Sequence, residues 1–302
     1  MVDLAIDSVS VVGAGNMGHG IAETIALAGY PVTLHDVDED VLSAGYENIE
    51  TNLAQLAEAD RIDEAPEDIT GRIETDETQA TAVAEADLVV EAVPERMELK
   101  QSVFADLDEN APAEAILATN TSSLSVTEIA SGTDRPGQVV GMHFFNPPVK
   151  MDLVEIISGD TTGDGTVEVV GEFVRAIGKT PVFVQKDVHG FVVNNVLAPF
   201  IVESDYLVSD SDASIRDVDA AMVHRRGYPM GPFELSDMSG LDVTYEAQTA
   251  GDKPVPPLME QKYASGQYGR KTGVGYYDYE DGNGVDYAVE DGGDVDTLRV
   301  EA

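Results

Sequence analysis

The stretch Ser8-Val9-Ser10-Val11-Val12-Gly13-Ala14-Gly15-Asn16-Met17-Gly18 decides the architecture. Residues 8–12 form a short apolar run of the length of a buried strand. The glycines then turn the chain into a helix running to about residue 28, with Ile21, Ile25, Leu27 and Ala28 on its apolar side. Gly29 ends that helix. Val32 and Leu34 lie in a second strand, which stops at Asp36. The spacing G-x-G-x-x-G arises by chance in many glycine-containing loops. Here it follows a strand, opens a helix, and is followed 21 positions after Gly15 by an acid at the end of the next strand.

Each residue of that unit has a physical task. Gly13 permits a tight turn, Gly15 lets the backbone approach a pyrophosphate, and Gly18 lets the helix pack closely on the strand. The helix N-terminus supplies free amides and a partial positive charge. Asp36 would accept hydrogen bonds from an adenosine ribose and repel a 2′-phosphate, which favours NAD over NADP. Asp38 is a weaker candidate for that task and reads more simply as a solvated loop acid.

Outward from this unit the alternation continues. Residues 87–91, 115–119, 139–143, 153–158 and 181–185 read as strands, and 98–107 and 167–177 as helices. Strands alternating with helices predict an α/β fold with a mostly parallel, doubly wound Rossmann-type sheet covered on both faces. From His189 onward helical spacing takes over: Phe191, Val192, Val196, Phe200 and Val208, then Ile215, Val218 and Met222. The expected division is a dinucleotide-binding domain at 1–187, an all-α C-terminal domain at 188–280, and an acidic, glycine-rich tail at 281–302.

Composition narrows the function classes. The chain has 302 residues, with 17 Lys and Arg against 57 Asp and Glu, a formal net charge of −40. A nucleic-acid partner is not expected, because phosphate backbones demand the opposite sign. The absence of cysteine excludes disulfides, thiolate catalysis and thiolate metal sites, and no metal is expected. No apolar run approaches the ~20 residues of a membrane span. Met1-Val2-Asp3-Leu4-Ala5 has no basic segment leading into an apolar one, so a cytoplasmic address without a secretory signal is expected. So large a charge fits adaptation to high salt, where a Debye length of about 3 Å screens the self-repulsion.

Three polar residues stand where chemistry is expected. His143 ends the apolar run Val139-Val140-Gly141-Met142, and Ser122 follows the strand 115–119. In open α/β sheets, ligands sit beyond the carboxyl ends of strands, so both can point into one crevice. Glu155 lies among Leu153, Val154, Ile156 and Ile157, where an unpaired carboxylate would be costly, and His143 is the natural partner. A hydroxyl, an imidazole and a carboxylate are the parts of a proton-transfer site. Each has a blander reading alone: a structural histidine for His143, and for Ser122 the N-cap of a helix over 124–130.

At these residues the chain resembles the L-3-hydroxyacyl-CoA dehydrogenase family. The resemblance rests on the glycine motif and on Asp87-Leu88-Val89-Val90-Glu91-Ala92, Asn120-Thr121-Ser122-Ser123-Leu124 and His143-Phe144-Phe145-Asn146-Pro147. It extends through Leu153-Val154-Glu155, Gly190-Phe191-Val192-Val193-Asn194, the segment from Gly227 to Leu235, and Arg270-Lys271-Thr272-Gly273-Val274-Gly275-Tyr276. It implies NAD-dependent, reversible oxidation of an L-3-hydroxyacyl-CoA to the 3-ketoacyl-CoA in fatty-acid metabolism. His143 would be the general base, Glu155 its orienting partner, and Ser122 and Asn194 the groups that hold the substrate oxygen. Glu95, Lys100, Asn146 and Lys271 fall where the family contacts NAD. Without the family pattern, Glu95 and Lys100 read as solvated helix-end charges, Lys271 as a surface lysine and Asn146 as a turn former. An acyl-CoA substrate and a homodimer built on the helical domain are also implied.

One departure bears on the substrate. The family binds coenzyme A with help from basic residues after the second strand, yet residues 37–85 hold only Arg61 and Arg72 among fifteen acids. Either high salt masks the repulsion, or the substrate is a small hydroxy compound without coenzyme A, as in relatives resembling gulonate or carnitine dehydrogenases. The composition also carries a prediction of its own. The chain is expected to keep its structure in molar potassium chloride and to lose it in dilute buffer, as followed by far-UV circular dichroism during dialysis. An equally cooperative thermal transition in dilute buffer would refute the salt-adaptation reading.

Overall fold

The computed structural model describes residues 6–251 and 253–279, and the chain divides into two units between Val192 and Val193. The expected tail at 281–302 and residues 1–5 lie outside the described residues. The first unit runs β1 (Val9–Val12), α1 (Asn16–Leu27), β2 (Val32–His35), α2 (Glu39–Glu58), α3 (Pro66–Thr70), β3 (Ile73–Asp76) and α4 (Gln79–Ala82). It continues with β4 (Leu88–Glu91), α5 (Met97–Asn110), β5 (Ile116–Thr119), α6 (Val126–Ala130), β6 (Val139–Phe144), β7 (Leu153–Ile157), α7 (Asp164–Ala176) and β8 (Thr180–Val184).

The strands form one sheet in the order β3-β2-β1-β4-β5-β6-β7-β8. Neighbours from β3 to β6 pair in parallel, β7 runs antiparallel to β6, and β8 returns parallel to β7. The reversal at β7 follows from its short link to β6, since a parallel return needs a crossover of a dozen or more residues. Chain order turns back between β1 and β4, and the crevice beyond their carboxyl ends is where open α/β sheets hold ligands.

Alternation along the strands divides the core into two layers. Val9, Val11, Leu88, Val90, Ile116, Val140 and Met142 join Ile21 and Ile25 of α1 on one side. Val12, Val89, Leu117, Val139 and Ile157 join Phe104 and Leu107 of α5 and Ile129 of α6 on the other. The same parity assigns Glu91, Thr119, His143 and Glu155 to the α5–α6 face, with Glu91 and Thr119 ending their strands and Glu155, in the middle of β7, opposite His143.

The second unit is helical: α8 (Val193–Asp210), α9 (Ile215–Arg226), α10 (Pro232–Ser239), α11 (Leu241–Ala250) and α12 (Pro257–Ala264). Its core holds Ile201, Val202, Val218, Phe233, Leu241, Met259 and Tyr276. Buried carboxylates brace its C-terminal segment. Asp205 accepts from Tyr276 Oη at 2.5 Å, and Asp237 accepts from the amides of Tyr276 and Tyr277 at 2.9 Å each. The division after Val192 lies beyond the expected 187 because residues 188–192 are tied to the first unit. Phe191 is buried in its α5–α6 layer, and the Val192 amide donates to Glu155 Oε1 at 2.9 Å. Among the described residues, no helix is long and apolar enough to cross a membrane.

One buried acid in this frame lacks full compensation. Glu23 of α1 is completely buried; its Oε2 accepts from Asn52 of α2 at 3.2 Å, and its Oε1 has no hydrogen-bond partner. Burial, only partly opposed by Asn52, pushes its carboxyl up to about 7. Between about pH 4.5 and about pH 7 the unfolded chain ionises this group while the folded chain keeps its proton. Stability therefore falls across that window, by roughly 3 kcal/mol in total. Glu23→Gln is expected to raise the thermal midpoint above about pH 7.5 and to flatten this decline. Melting curves at a series of pH values in molar potassium chloride check it, and an unchanged slope contradicts it.

Candidate functional site

The glycine turn is built as a cradle. Gly13 has φ +102°, a backbone state that side chains rarely adopt, and its amide donates to the His35 carbonyl at 2.8 Å. A Cβ on Gly18 would lie 1.6 Å from the Gly13 carbonyl oxygen, so only glycine lets α1 pack here. A Cβ on Gly15 would meet nothing within 4 Å, so that side of the loop opens onto free space. Gly15 also caps α1 without a side chain, which leaves the first-turn amides available to an anion. A cavity of about 380 Å³ adjoins the loop, lined by Gly15, Asn16 and His19 and, across from them, by Asp40, Gly45 and Asn48.

Asp36 stands just beyond β2. Its Oδ2 accepts from the Ala14 amide at 2.8 Å and its Oδ1 from the Asp38 amide at 3.0 Å, so the acid is braced against the glycine turn. Asp38 is exposed in the loop before α2 and also caps that helix, accepting from the amides of Asp40 and Val41. Cap duty occupies Asp38 and leaves Asp36 as the acid beside the turn. An open loop, uncapped helix amides and an acid at the next strand end fit a dinucleotide with a free ribose.

His143 and Glu155 are direct partners across the antiparallel β6–β7 pair. The His143 Nδ1 lies 2.9 Å from Glu155 Oε2, with His143 at 6% exposure and Glu155 fully buried. The imidazole is also held between rings, with Phe145 at 4.5 Å and Phe191 at 5.6 Å between centroids. An ionised carboxylate can only accept, so Nδ1 carries the proton of the neutral ring and Nε2 the lone pair.

Ser122 belongs to the loop after β5. It is not a helix cap: α6 begins at Val126, and Ser125 caps it by accepting from the Glu128 amide. The loop is gathered instead by Glu95, whose Oε1 takes Thr121 Oγ1 at 2.6 Å, the amides of Ser122 and Ser123 at 2.8 and 3.0 Å, and Ser122 Oγ at 3.2 Å. Burial raises the Glu95 carboxyl, but the Thr121 bond, the Lys100 charge and the two amides together hold it below its ordinary value. Lys100 is no solvated helix-end charge either; it is 1% exposed. Its Nζ lies 2.7 Å from Glu91 Oε1, 3.2 Å from the Val93 carbonyl and 3.4 Å from Glu95 Oε2. Glu91 is fully buried, and burial outweighs Lys100 and its other donors in pushing its carboxyl up.

The first unit thus brings Ser122, Glu95 and Lys100 into one connected network and His143 and Glu155 into another. Asn146 is exposed just beyond β6. Asn194 and Lys271 belong to the second unit, Asn194 in the first turn of α8 and Lys271 half-exposed with its Nζ 2.5 Å from Asp242 Oδ2. Sequence reasoning left three residues without a role. Asn120 Oδ1 accepts from the Phe144 amide at 2.8 Å, which joins the Ser122 loop to the strand of His143. His189 contacts the Ser123 carbonyl through Nδ1 at 3.0 Å. Glu91 is the third. Glu91 offered a signal comparable to that of Glu155, an acid in an apolar strand, whereas Asn120 and His189 act through backbone partners that no sequence pattern reveals.

Residues 8–188 match the family model described as 3-hydroxyacyl-CoA dehydrogenase, NAD binding domain, and residues 190–279 match 3-hydroxyacyl-CoA dehydrogenase, C-terminal domain. The chain is 40% identical over 292 residues to the mitochondrial hydroxyacyl-coenzyme A dehydrogenase of Homo sapiens, with 92% of each chain covered. A solved (S)-3-hydroxybutyryl-CoA dehydrogenase from Ralstonia eutropha superposes with TM-score 0.85 at 35% identity, covering 91% of this chain and 99% of that one. A diketoreductase studied on dicarbonyl compounds superposes with TM-score 0.82 at 32% identity over the same shares.

The Asn120 contact is testable on the free protein. Asn120→Ala strips the buried Phe144 amide of its acceptor and is expected to cost about 1–3 kcal/mol of stability. Guanidinium unfolding in high salt measures it, and a loss within experimental error would mean the amide finds another acceptor.

Proposed function

The chain belongs to the 3-hydroxyacyl-CoA dehydrogenase family, and from that premise we propose that it interconverts an L-3-hydroxyacyl-CoA and its 3-ketoacyl-CoA with His143 as the proton-transfer group. One observation carries this reading: the buried 2.9 Å contact that fixes the His143 ring through Nδ1 and directs the lone pair to Nε2. In the oxidation direction, Nε2 takes the proton of the 3-hydroxyl, and the buried Glu155 stabilises the imidazolium that forms. In the reduction direction, the imidazolium returns that proton to the carbonyl oxygen. Ser122 holds the reacting oxygen and so aligns the carbon, a task that the family resemblance also gives to Asn194. The turn of Gly13, Gly15 and Gly18 and the acid Asp36 would hold NAD, with Glu95 and Asn146 of the same unit beside them, and NAD when bound would supply the hydride acceptor.

A homodimer formed through the helical unit is part of the proposal. Val196, Val243 and Leu207 of that unit are 64%, 56% and 48% exposed, and apolar side chains of this kind are what such an interface would bury. A second substrate reading has its own support. Arg72 is committed to Glu64 and to the Ala26 carbonyl, so of the two basic residues in 37–85 only the exposed Arg61 is left for a coenzyme A phosphate. A small 3-hydroxy acid without coenzyme A fits that poverty of positive charge, and the similarity to a diketoreductase agrees with it.

His143→Ala is expected to lower kcat by at least about a thousandfold while NADH binding, read by its fluorescence, stays within about threefold. Turnover that survives the substitution removes His143 from the mechanism. NADH oxidation with acetoacetyl-CoA and with free acetoacetate in molar potassium chloride then separates the two substrate readings: the coenzyme A ester is expected to react faster by orders of magnitude.

A further inference from the structure

We infer that Glu91 is a positioning residue for Ser122, acting through Lys100 and Glu95. The inference rests on the reading of Ser122 as a holder of the substrate oxygen.

Glu91 closes β4 at the point where the order of the sheet turns back, and its side chain reaches the Ser122 loop by two routes. The first is ionic. Glu91 Oε1 holds the Lys100 ammonium at 2.7 Å, and Lys100 holds Glu95 Oε2 at 3.4 Å. The other oxygen of Glu95 gathers Thr121, Ser122 and Ser123. The second route runs through the neighbouring strand. Thr119 Oγ1 donates to Glu91 Oε2 at 2.7 Å and accepts from the Thr121 amide at 3.3 Å. A single fully buried carboxylate thus sets both the strand that leads into the loop and the cation that fixes the acid holding it.

The Lys100 ammonium donates to Glu91 Oε1 and to the Val93 carbonyl and forms an ion pair with Glu95 Oε2 at 3.4 Å. Lys100 thus links the two acids. Stability does not explain the arrangement. Taking a carboxylate and an ammonium out of water commonly costs more than their attraction returns, and apolar residues of similar volume serve a core at least as well. What the pair provides is a fixed position for Glu95. The single proton acceptor at Glu95 Oε1 orients both the Ser122 amide and its hydroxyl, so a shift of Glu95 moves the hydroxyl that meets the substrate oxygen.

The test is a double-mutant cycle on kcat with the full chain, acetoacetyl-CoA and NADH in molar potassium chloride. Glu91→Gln, which keeps the shape and removes the charge, is expected to lower kcat by about tenfold or more in the native background. In a Ser122→Ala background the same change is expected to lower kcat by less than about twofold, because the group it positions is gone. Equal losses in both backgrounds mean that Glu91 serves the fold alone and overturn the inference. Should Glu91→Gln not fold, the pair Glu91→Leu with Lys100→Met removes both charges and keeps apolar packing. That pair is expected to show the same loss in the native background and the same lack of effect with Ser122→Ala; a folded pair with native kcat overturns the inference. Failure of the functional reading looks different. The wild type is then idle with acetoacetyl-CoA, or Ser122→Ala is as fast as the wild type, and either result removes the basis for Glu91 as well.

Discussion

A carboxylate in the middle of an apolar strand must find donors or be expelled, and the site is organised around how Glu155 finds them. Its neighbours in β7 are Leu153, Val154, Ile156 and Ile157, and it has no exposed surface. Leaving such a group ionised and unpaired would cost several kcal/mol. Its two oxygens take the His143 ring and the Val192 amide, groups that lie on β6 and on the turn after residue 188. One desolvated charge thus pins two strands and a turn together. Register is the means. His143 and Glu155 are opposite in the antiparallel pair, and a slip by one residue would send one of them to the other face of the sheet.

The same face carries a second buried acid with a comparable set of donors. Glu91 and Thr119 are register partners in β4 and β5, and Thr119 is in turn paired with Gly141 of β6. Running outward from the turning point of the sheet, the α5–α6 face therefore presents an acid, a hydroxyl, an imidazole and an acid on successive strands. Asn120 stitches the two halves together through the Phe144 amide. Polar groups here are set in place by backbone register and by their partners' burial before any ligand arrives, which is the preorganisation that transfer of a proton between heavy atoms requires. Glu23 marks the contrast. It lies on the buried side of the glycine helix with one oxygen unsatisfied, and burial holds its carboxyl up to about 7.

Much of this was legible in the sequence because it is written in short-range pattern. The glycine turn, Asp36 and the apolar runs of β1, β4, β5, β6 and β7 announce themselves by spacing and by period. Glu155 announces itself by contradiction, as an acid where only apolar residues belong. The features that escaped are those whose reason is not local. The edge strand β3 buries only Ile73 among its residues, so it shows no apolar period. The long helix α2 buries Leu42, Gly45, Ile49 and Leu53 beneath a surface of acids, and that excess dilutes its stripe. Asp38 looked idle because its partners are amides of its own helix. Lys100 looked like a helix-end charge because nothing in the chain order shows that α5 turns it inward onto β4.

The charge of the chain and the chemistry of its site are reconciled by where positive potential comes from. A protein with a net charge of −40 would repel the phosphates of a dinucleotide if side chains had to attract them. The turn of Gly13, Gly15 and Gly18 draws instead on backbone amides and on the helix end behind them, which no change of surface composition can remove. The acid-rich segment after β2 has no such resource. Arg72 is tied to Glu64 and a carbonyl there, so an anionic substrate tail must rely on Arg61, on amides, or on salt dense enough to shorten the reach of the surrounding acids to about 3 Å. Recognition by backbone survives an acidic surface unchanged, whereas recognition by side-chain charge does not. The glycine turn and Asp36 therefore keep the geometry their sequence spacing leads one to expect, while the segment after β2 holds only two basic residues among fifteen acids.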